Sequence, residues 1–308
     1  MRITNRMLGQ NVIRNINRNL ENMARTQEQM ASGKRVNRPS DDPIVVARIL
    51  AFKTSIAANE QYKKNMEDAK GWLDASESAL GMATDVLQRA RELAVYGSNG
   101  TMPRESMQAL GQEVDQLLDE MVQVANTSYG GRYVFGGSQT TTTPFEKISD
   151  RNSQDYPVKY NGNLADLNWE IAPGVVVAVN ENGGKVFKDV IDNGAGGKDS
   201  IFKLLSDLRD GLNNGVYSDV QSTLSKFDQA IDHLLNIRAT LGAKSNRMEM
   251  ATSRLDDTQI GLTTTMSKLA DIDLAETVMN YKNRENVYRA SLATGAMVLQ
   301  PSLIDYLR

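Results

Sequence analysis

The chain has no cysteine, a single histidine and only seven prolines among its 308 residues. Without cysteine there is no disulfide framework, no thiolate nucleophile and no Cys-ligated zinc or iron–sulfur site. With His233 as the sole imidazole, a multi-histidine metal centre is excluded. A Ser-His-Asp arrangement would have to be built on that one residue. Aromatic residues are scarce, at 6% against 40% apolar, so a core of aliphatic side chains, methionine and alanine is expected. No charge sign dominates. The 35 basic and 38 acidic residues give a net charge of −3, which argues against nucleic-acid binding by the whole chain. No apolar run approaches the roughly 20 residues that cross a bilayer. The first residues, with Arg2, Arg6, Arg14 and Arg18, carry no continuous apolar stretch or small-residue cleavage site, so they do not read as a secretory signal peptide.

The breakers that are present cluster. Prolines stand at 39, 43, 103, 144, 157, 173 and 301, and eleven of the 23 glycines fall in the 68 residues from Gly130 to Gly197. Long proline-free flanks around a breaker-rich middle read as helical segments around a turn-rich insert.

The flanks carry heptads. Leu224, Phe227, Ile231, Leu234, Arg238, Leu241, Ser245, Met248, Thr252, Leu255, Gln259, Leu262, Met266 and Leu269 alternate steps of three and four, and ten of these 14 positions are apolar. A seam repeating every 3.5 residues is a coiled-coil signal. As one helix it would be about 69 Å long at 1.5 Å per residue, which implies an elongated molecule. A second helix runs from Pro43 to Tyr96. Val45, Phe52, Asn59, Met66, Leu73, Leu80 and Leu87 recur every seven residues, interleaved with Tyr62, Ala69, Ser76, Ala83 and Ala90. Large residues against small ones let helix backbones approach closely. A third helix follows Gly97–Gly100, with Pro103 in its first turn, Thr101 as a cap, and Met107, Leu110, Val114, Leu117, Met121 and Val124 on one side. Asp42 before Pro43 reads as an N-cap, and Asp273 with Glu276 suits a capping box.

The two ends repeat the pattern. Ile13, Ile16, Leu20, Met23, Gln27 and Met30 make one row; Leu274, Val278, Tyr281, Glu285, Tyr288, Leu292, Gly295 and Leu299 make the other. Pro301 stops that helix, and Leu303, Ile304, Tyr306 and Leu307 form a last apolar turn. Six asparagines among residues 5–22 weaken the first helix, which suggests an arm ordered by its neighbours. In the middle, Arg132–Phe135, Tyr156–Tyr160, Trp169–Ile171 and Val175–Val179 read as short strands, with Asn161-Gly162 as a hairpin turn and Asn182-Gly183-Gly184 as another turn. The expected divisions are an N-terminal arm over 1–43, a helical bundle over 44–130 and 201–270, a β-rich insert over 131–200, and a C-terminal arm over 271–308.

Candidate chemistry is thin. His233 lies just off the heptad seam and reads as a flanking histidine. Asp41-Asp42 and Asp256-Asp257 are adjacent pairs, and neighbouring residues on a helix do not face each other. Gly130-Gly131 and Gly136-Gly137 lack the spacing and the strand–turn–helix frame of a phosphate loop, and read as turn glycines. The first 38 residues carry eight basic residues against Glu21 and Glu28, a local +6. The apolar row between those arginines needs burial, so they fit a solvated or inter-subunit face better than nucleic acid. No catalytic, cofactor-binding or metal-binding residues are assigned, and the chain is not expected to be an enzyme.

Several stretches together resemble the flagellin superfamily: the opening Met1-Arg2-Ile3-Thr4; Ser32-Gly33-Lys34-Arg35-Val36-Asn37-Arg38-Pro39-Ser40-Asp41-Asp42-Pro43; Arg91-Glu92-Leu93-Ala94-Val95; Asp271-Ile272-Asp273-Leu274-Ala275-Glu276; and the ending Leu299–Arg308. Gly130–Gly137 with Pro144-Phe145 and the Pro173-Gly174 turn resemble the branch of that superfamily found at the junction of flagellar hook and filament. The likeness covers about 1–145 and 220–308 well and the insert loosely. It implies a mainly α, elongated, flagellin-like coiled-coil helical bundle with an inserted small β-rich domain. It also implies a structural protein outside the cell, in the bacterial flagellum. Partners would be neighbouring copies, another hook-associated protein and flagellin. Export would use the flagellar type III machinery and an export chaperone, with no cleaved signal peptide. Neither nucleic acid nor membrane is implied. The assembly interface expected from the apolar rows is Ile13, Ile16, Leu20, Met23, Val278, Leu292, Leu299, Leu303 and Leu307. Flagellin itself, a cytoplasmic coiled-coil scaffold, and an enzyme carried as the insert are the competing readings.

Overall fold

The computed structural model describes residues 5–148, 151, 155–192 and 197–299, with the side chains of 5, 6, 298 and 299 excepted. Among these residues the α-helices are α1 (Asn5–Ser32), α2 (Pro43–Gly97), α3 (Arg104–Ala125), α4 (Ile201–Asn214), α5 (Tyr217–Ala270) and α6 (Leu274–Leu299). The chain divides into two compact units, one made of 1–58 and 257–308, the other of 59–256.

The unit 59–256 owes its core to the heptads. Met66, Leu73, Leu80 and Leu87 of α2 are buried, as are the interleaved Ala69, Ser76, Ala83 and Ala90. Trp72, Ala79, Val86 and Leu93 are buried as well, so α2 uses three positions per heptad. That broad stripe is what a core-facing helix needs, in contrast to the narrow seam of a two-stranded coiled coil. On α5, Phe227, Leu234, Leu241, Met248 and Leu255 are buried at intervals of seven. Two polar members of the interleaved row find partners. Arg238 Nη2 donates to Glu77 at 2.7 Å, and Thr252 Oγ1 to the Met248 carbonyl at 2.9 Å. Buried Asn59 donates its side-chain amide to the Leu255 carbonyl at 2.8 Å, which satisfies a polar group inside the seam.

Capping follows the sequence at one end of α2 and departs from it at α3. The Val45 N–H donates to Asp42 Oδ1 at 3.0 Å, so Asp42 is the N-cap and Pro43 the first helical residue. Thr101 does not cap α3. Its hydroxyl bonds Asn99 Oδ1 at 3.1 Å, and the helix starts after Pro103 with no side-chain cap. At α4, Ser200 Oγ accepts from the Lys203 N–H, and Gly215, at φ +71°, ends the helix in the left-handed conformation that glycine adopts freely.

The insert is built of antiparallel pairs, each of two strands. Strands β1 (Ser128–Tyr129) and β2 (Arg132–Tyr133) are joined through Gly130 and Gly131, at φ +56° and +77°, a primed hairpin turn. Next, β3 (Phe145–Lys147) pairs with β4 (Val158–Tyr160), β5 (Asn168–Ala172) with β6 (Val175–Ala178) across Pro173-Gly174, and β7 (Ile191–Asp192) with β8 (Lys198–Asp199). Asn161-Gly162 is therefore not a hairpin turn, because β4 takes its partner from upstream. Asn182 instead opens a single π-type turn, Gly184–Lys188, by accepting from the Lys185 N–H at 3.0 Å.

The expectation of a ring-poor core fails in the insert. Phe135, Phe145 and Phe187 meet Phe202 of α4, with ring centroids 5.2–5.8 Å apart, and Tyr160 lies 5.0 Å from Phe145. The few aromatics are concentrated where short strands supply little aliphatic surface, and each ring buries a large area. This cluster is continuous with the helical core. Trp72 of α2 packs on Tyr129 and Trp169, and His233 Nε2 lies 2.9 Å from the Lys185 carbonyl oxygen. His233 thus ties α5 to the insert. Arg209 of α4, whose side chain is 12% exposed, joins Asp115 of α3 at 2.9 Å and the Tyr156 hydroxyl at 2.8 Å. Those partners hold its guanidinium firmly protonated, its pKa raised further despite burial.

Candidate assembly interface

The unit of 1–58 and 257–308 holds the two terminal helices. α1 and α6 pair antiparallel, as three contacts along their length show. Near their far ends, Val12 and Ile16 pack over Gly295, where a Cβ would stand 2.9 Å from Val12 Cγ1 and 3.1 Å from Ile16 Cδ1. Midway, Arg284 Nη1 donates to the Asn22 carbonyl at 2.6 Å and to Thr26 Oγ1 at 2.7 Å. At the near end, Lys34 and Asp271 form a β-bridge: Arg35 N–H donates to the Ala270 carbonyl at 2.7 Å and Ile272 N–H to that of Gly33 at 3.1 Å. Gly33, at φ +69°, makes the turn out of α1 that permits this.

Ion pairs hold the turn between α1 and α2. Lys34 Nζ and Ser267 Oγ both bond the Asp271 carboxylate, at 2.5 Å each, and lower its pKa, Lys34 the more. Asp41 is lowered chiefly by the Arg38 N–H and then by Arg25, which is 2.9 Å away. On α6, Lys282 at 2.9 Å and Arg289 at 2.7 Å flank Glu285 and lower it likewise. Asp273 caps α6, accepting from the Glu276 N–H at 3.1 Å.

The apolar rows singled out in the sequence are split by this pairing. Ile16 and Met23 are half-buried, along with Val12 and Asn19, and Thr26 is buried. Ile13 and Leu20 remain 50% and 43% exposed, and across on α6 Val278 and Leu292 remain 38% and 43% exposed. Leu299 is the last residue of α6 and its side chain is not described; Leu303 and Leu307 lie outside the described residues. The face of α6 near α1 instead presents Thr277, Tyr281, Glu285, Tyr288, Ser291 and buried Gly295. Meanwhile Met279 and Met297, on the far side, are 66% and 75% exposed. Apolar side chains thus stand exposed on several sides of α6, between the exposed Asn280, Lys282, Asn286 and Arg289. Reading the sequence missed Arg284 and Thr26. A heptad search looks for apolar residues, and neither residue carries a local sign that the other faces it.

Among the described residues no helix is long and apolar enough to cross a membrane, and no group of three or more His, Cys, Asp or Glu residues is placed to hold a metal ion. Long helices with apolar heptads, a small β-rich insert and terminal helices paired with each other define an α-helical structural subunit with unpartnered apolar surface on its arms. The chain belongs to the bacterial flagellin family: the model of its N-terminal helical region matches residues 3–140 and that of its C-terminal helical region residues 224–307. Flagellar hook-associated protein 3 of Escherichia coli (strain K12) is 28% identical over 308 residues, covering 94% of this chain and 95% of its own. Flagellin of Bacillus subtilis (strain 168) is 27% identical over 312 residues, covering 97% of each. Among solved structures, FlgL of Bacillus cereus is 27% identical, with a TM-score of 0.58 over 70% of this chain and 99% of that one.

Proposed function

We propose that this chain is a structural protein of the bacterial flagellum, placed at the hook–filament junction, where it joins another hook-associated protein to flagellin. The match to hook-associated protein 3 carries this reading, because it runs through arms, helices and insert alike at 28% identity over 94% of the chain. The likeness to FlgL of Bacillus cereus supports it. The role is one of assembly and not of catalysis. Neighbouring copies pack on the arms through Ile13, Leu20, Val278, Leu292, Leu299, Leu303 and Leu307, while Ile16 and Met23 serve the pairing of the arms within the chain, and the terminal helices draw much of their stability from those neighbours. The arms, 1–43 and 271–308, are the assembly segments; 44–130 and 201–270 are the bundle, and 131–200 is the outward insert. The protein reaches its place outside the cell through the flagellar export machinery, with an export chaperone.

The similarity to Bacillus subtilis flagellin makes a filament subunit the second reading. Immunogold labelling of intact flagella separates the two. Label confined to a short zone between hook and filament is the expected result. Label along the filament, or purified protein that polymerises alone into long filaments, would overturn the junction assignment.

A further inference from the structure

We propose that Asn99-Gly100-Thr101, in the turn between α2 and α3, is a site of spontaneous deamidation, with the Thr101 hydroxyl assisting the attack. The reaction needs water and no enzyme, and it is independent of the assembly role proposed above. The Gly100 backbone nitrogen attacks Asn99 Cγ, and the new bond closes a succinimide ring. The Cγ–Nδ2 bond breaks, and ammonia leaves with the proton that Gly100 gives up. Water then opens the ring to aspartate or isoaspartate. The net exchange is one water taken up for one ammonia released, with no change of oxidation state. The charge of the chain passes from −3 to −4.

Glycine carries no side chain to hinder such an attack. The Asn-Gly pair occurs five times, at Asn99, Asn161, Asn182, Asn193 and Asn214. Asn193 lies outside the described residues. The structure separates the other four. Asn99 and Gly100 are exposed, and the Gly100 N–H meets no acceptor among the described residues. The Thr101 hydroxyl donates to Asn99 Oδ1 at 3.1 Å. Negative charge develops on that oxygen as Cγ is attacked, and a donor already in place stabilises it. Asn182 is the opposite case. It is 2% exposed, and its Oδ1 accepts from the Lys185 N–H at 3.0 Å. The Gly183 N–H donates to the Phe135 carbonyl at 2.9 Å, so amide and nucleophile are both held. The Gly215 N–H, after Asn214, is likewise held by the Leu212 carbonyl at 3.2 Å. At Asn161, Nδ2 donates to Glu146 at 3.2 Å, a carboxylate that opposes the developing charge. The Tyr160 ring also crowds Gly162, where a Cβ would stand 2.5 Å from it. One sequence signal thus has four structural settings, and the turn after α2 is the open one.

Incubation of the purified full-length chain in oxygen-18 water tests this. Each deamidation leaves one heavy oxygen, which peptide mass spectrometry assigns to its residue. Asn99 should take up label first, about thirtyfold faster than Asn182, where two hydrogen bonds must break before attack. Gly100→Ala should suppress uptake at Asn99 and leave the circular dichroism unchanged. Its added Cβ meets nothing within 4 Å, yet it hinders the neighbouring nitrogen. Thr101→Val should slow uptake about tenfold, the factor for one hydrogen bond to a charged group. Thr101→Ser keeps the hydroxyl and should keep the parent rate. In guanidinium chloride the four rates should converge, because the four settings are lost. Uptake at Asn161, Asn182 or Asn214 as fast as at Asn99 in the folded chain would overturn the proposal. So would an unchanged rate in Gly100→Ala or in Thr101→Val. Persistence of the folded-chain order in denaturant would overturn it as well, since local sequence alone would then set the rates.

Discussion

Replacing Leu292 by aspartate puts the assembly surface to its most direct test. Leu292 is 43% exposed on α6, so a carboxylate there reaches water in the monomer and costs the fold little. Fully burying a leucine is worth about 1.5–3 kcal/mol, so covering the exposed two-fifths with a neighbour contributes about 1 kcal/mol. The substitution removes that gain and adds an unpaired carboxylate to an apolar contact, an effective penalty of several kcal/mol. Arg289, one turn away, offers no ready partner, because it is held by Glu285 at 2.7 Å. The sum is about 4 kcal/mol per subunit contact, a weakening of roughly a thousandfold at 1.4 kcal/mol per decade. The assay has two parts. Urea denaturation of the purified variant followed by circular dichroism should match the parent, and electron microscopy of cells carrying only the variant should show hooks without filaments. Leu292→Ala, which loses only the apolar part, should assemble with reduced efficiency. Normal filaments from Leu292→Asp would refute the reasoning, as would a variant that fails to assemble only because it is unfolded.

Three further outcomes follow from the packing. Phe187→Ala empties a site enclosed by three other phenylalanines and should cost about 3–5 kcal/mol in the unit 59–256, read as a lower urea midpoint with an unchanged slope. Arg209→Met should cost about 2 kcal/mol, because it unties Asp115 and Tyr156, and protease cleavage near Tyr156 should quicken. Acid should loosen the joint between α1 and α6. The folded pKa of Asp271 lies below its ordinary 3.8, so its contribution is fully present above that value and is lost as pH falls through the folded one. Amide exchange at Arg35 and Ile272 should therefore rise below about pH 4 in the parent, and Lys34→Met should show the faster exchange already at neutral pH.

Much of the fold was legible because helix periodicity is a local property. The sevenfold rows of α2 and α5 mark the buried residues correctly from Met66 to Leu87 and from Phe227 to Leu255. Asp42 and Asp273 could be read as caps because capping needs only a side-chain acceptor and an N–H three residues on. Thr101 met the same rule and failed, because α3 begins at Arg104 with Pro103 at the N-cap position, two residues past it. The insert was harder to read. Asn161-Gly162 has the composition of a hairpin turn, yet the pairing of Phe145 with Tyr160 takes β4 backward in the chain. Strand partners are chosen across sequence gaps, and two-residue strands carry almost no period.

The arms divide the same way. The sequence by itself determined that both ends are helices with apolar rows, that no cysteine chemistry and no multi-histidine metal centre is available, and that the breakers are densest in one central insert. Those are matters of composition and of spacing within one element. Only the tertiary structure decided that Ile16 and Met23 turn inward while Ile13, Leu20, Val278 and Leu292 stay open. The same holds for the four phenylalanines, drawn from positions 135–202, and for Arg284 meeting Thr26 across 258 residues of chain. A heptad says that a helix needs a partner. Which face meets it depends on the shape and hydrogen-bonding capacity of residues far away in the sequence, and that information exists only once the two helices are side by side.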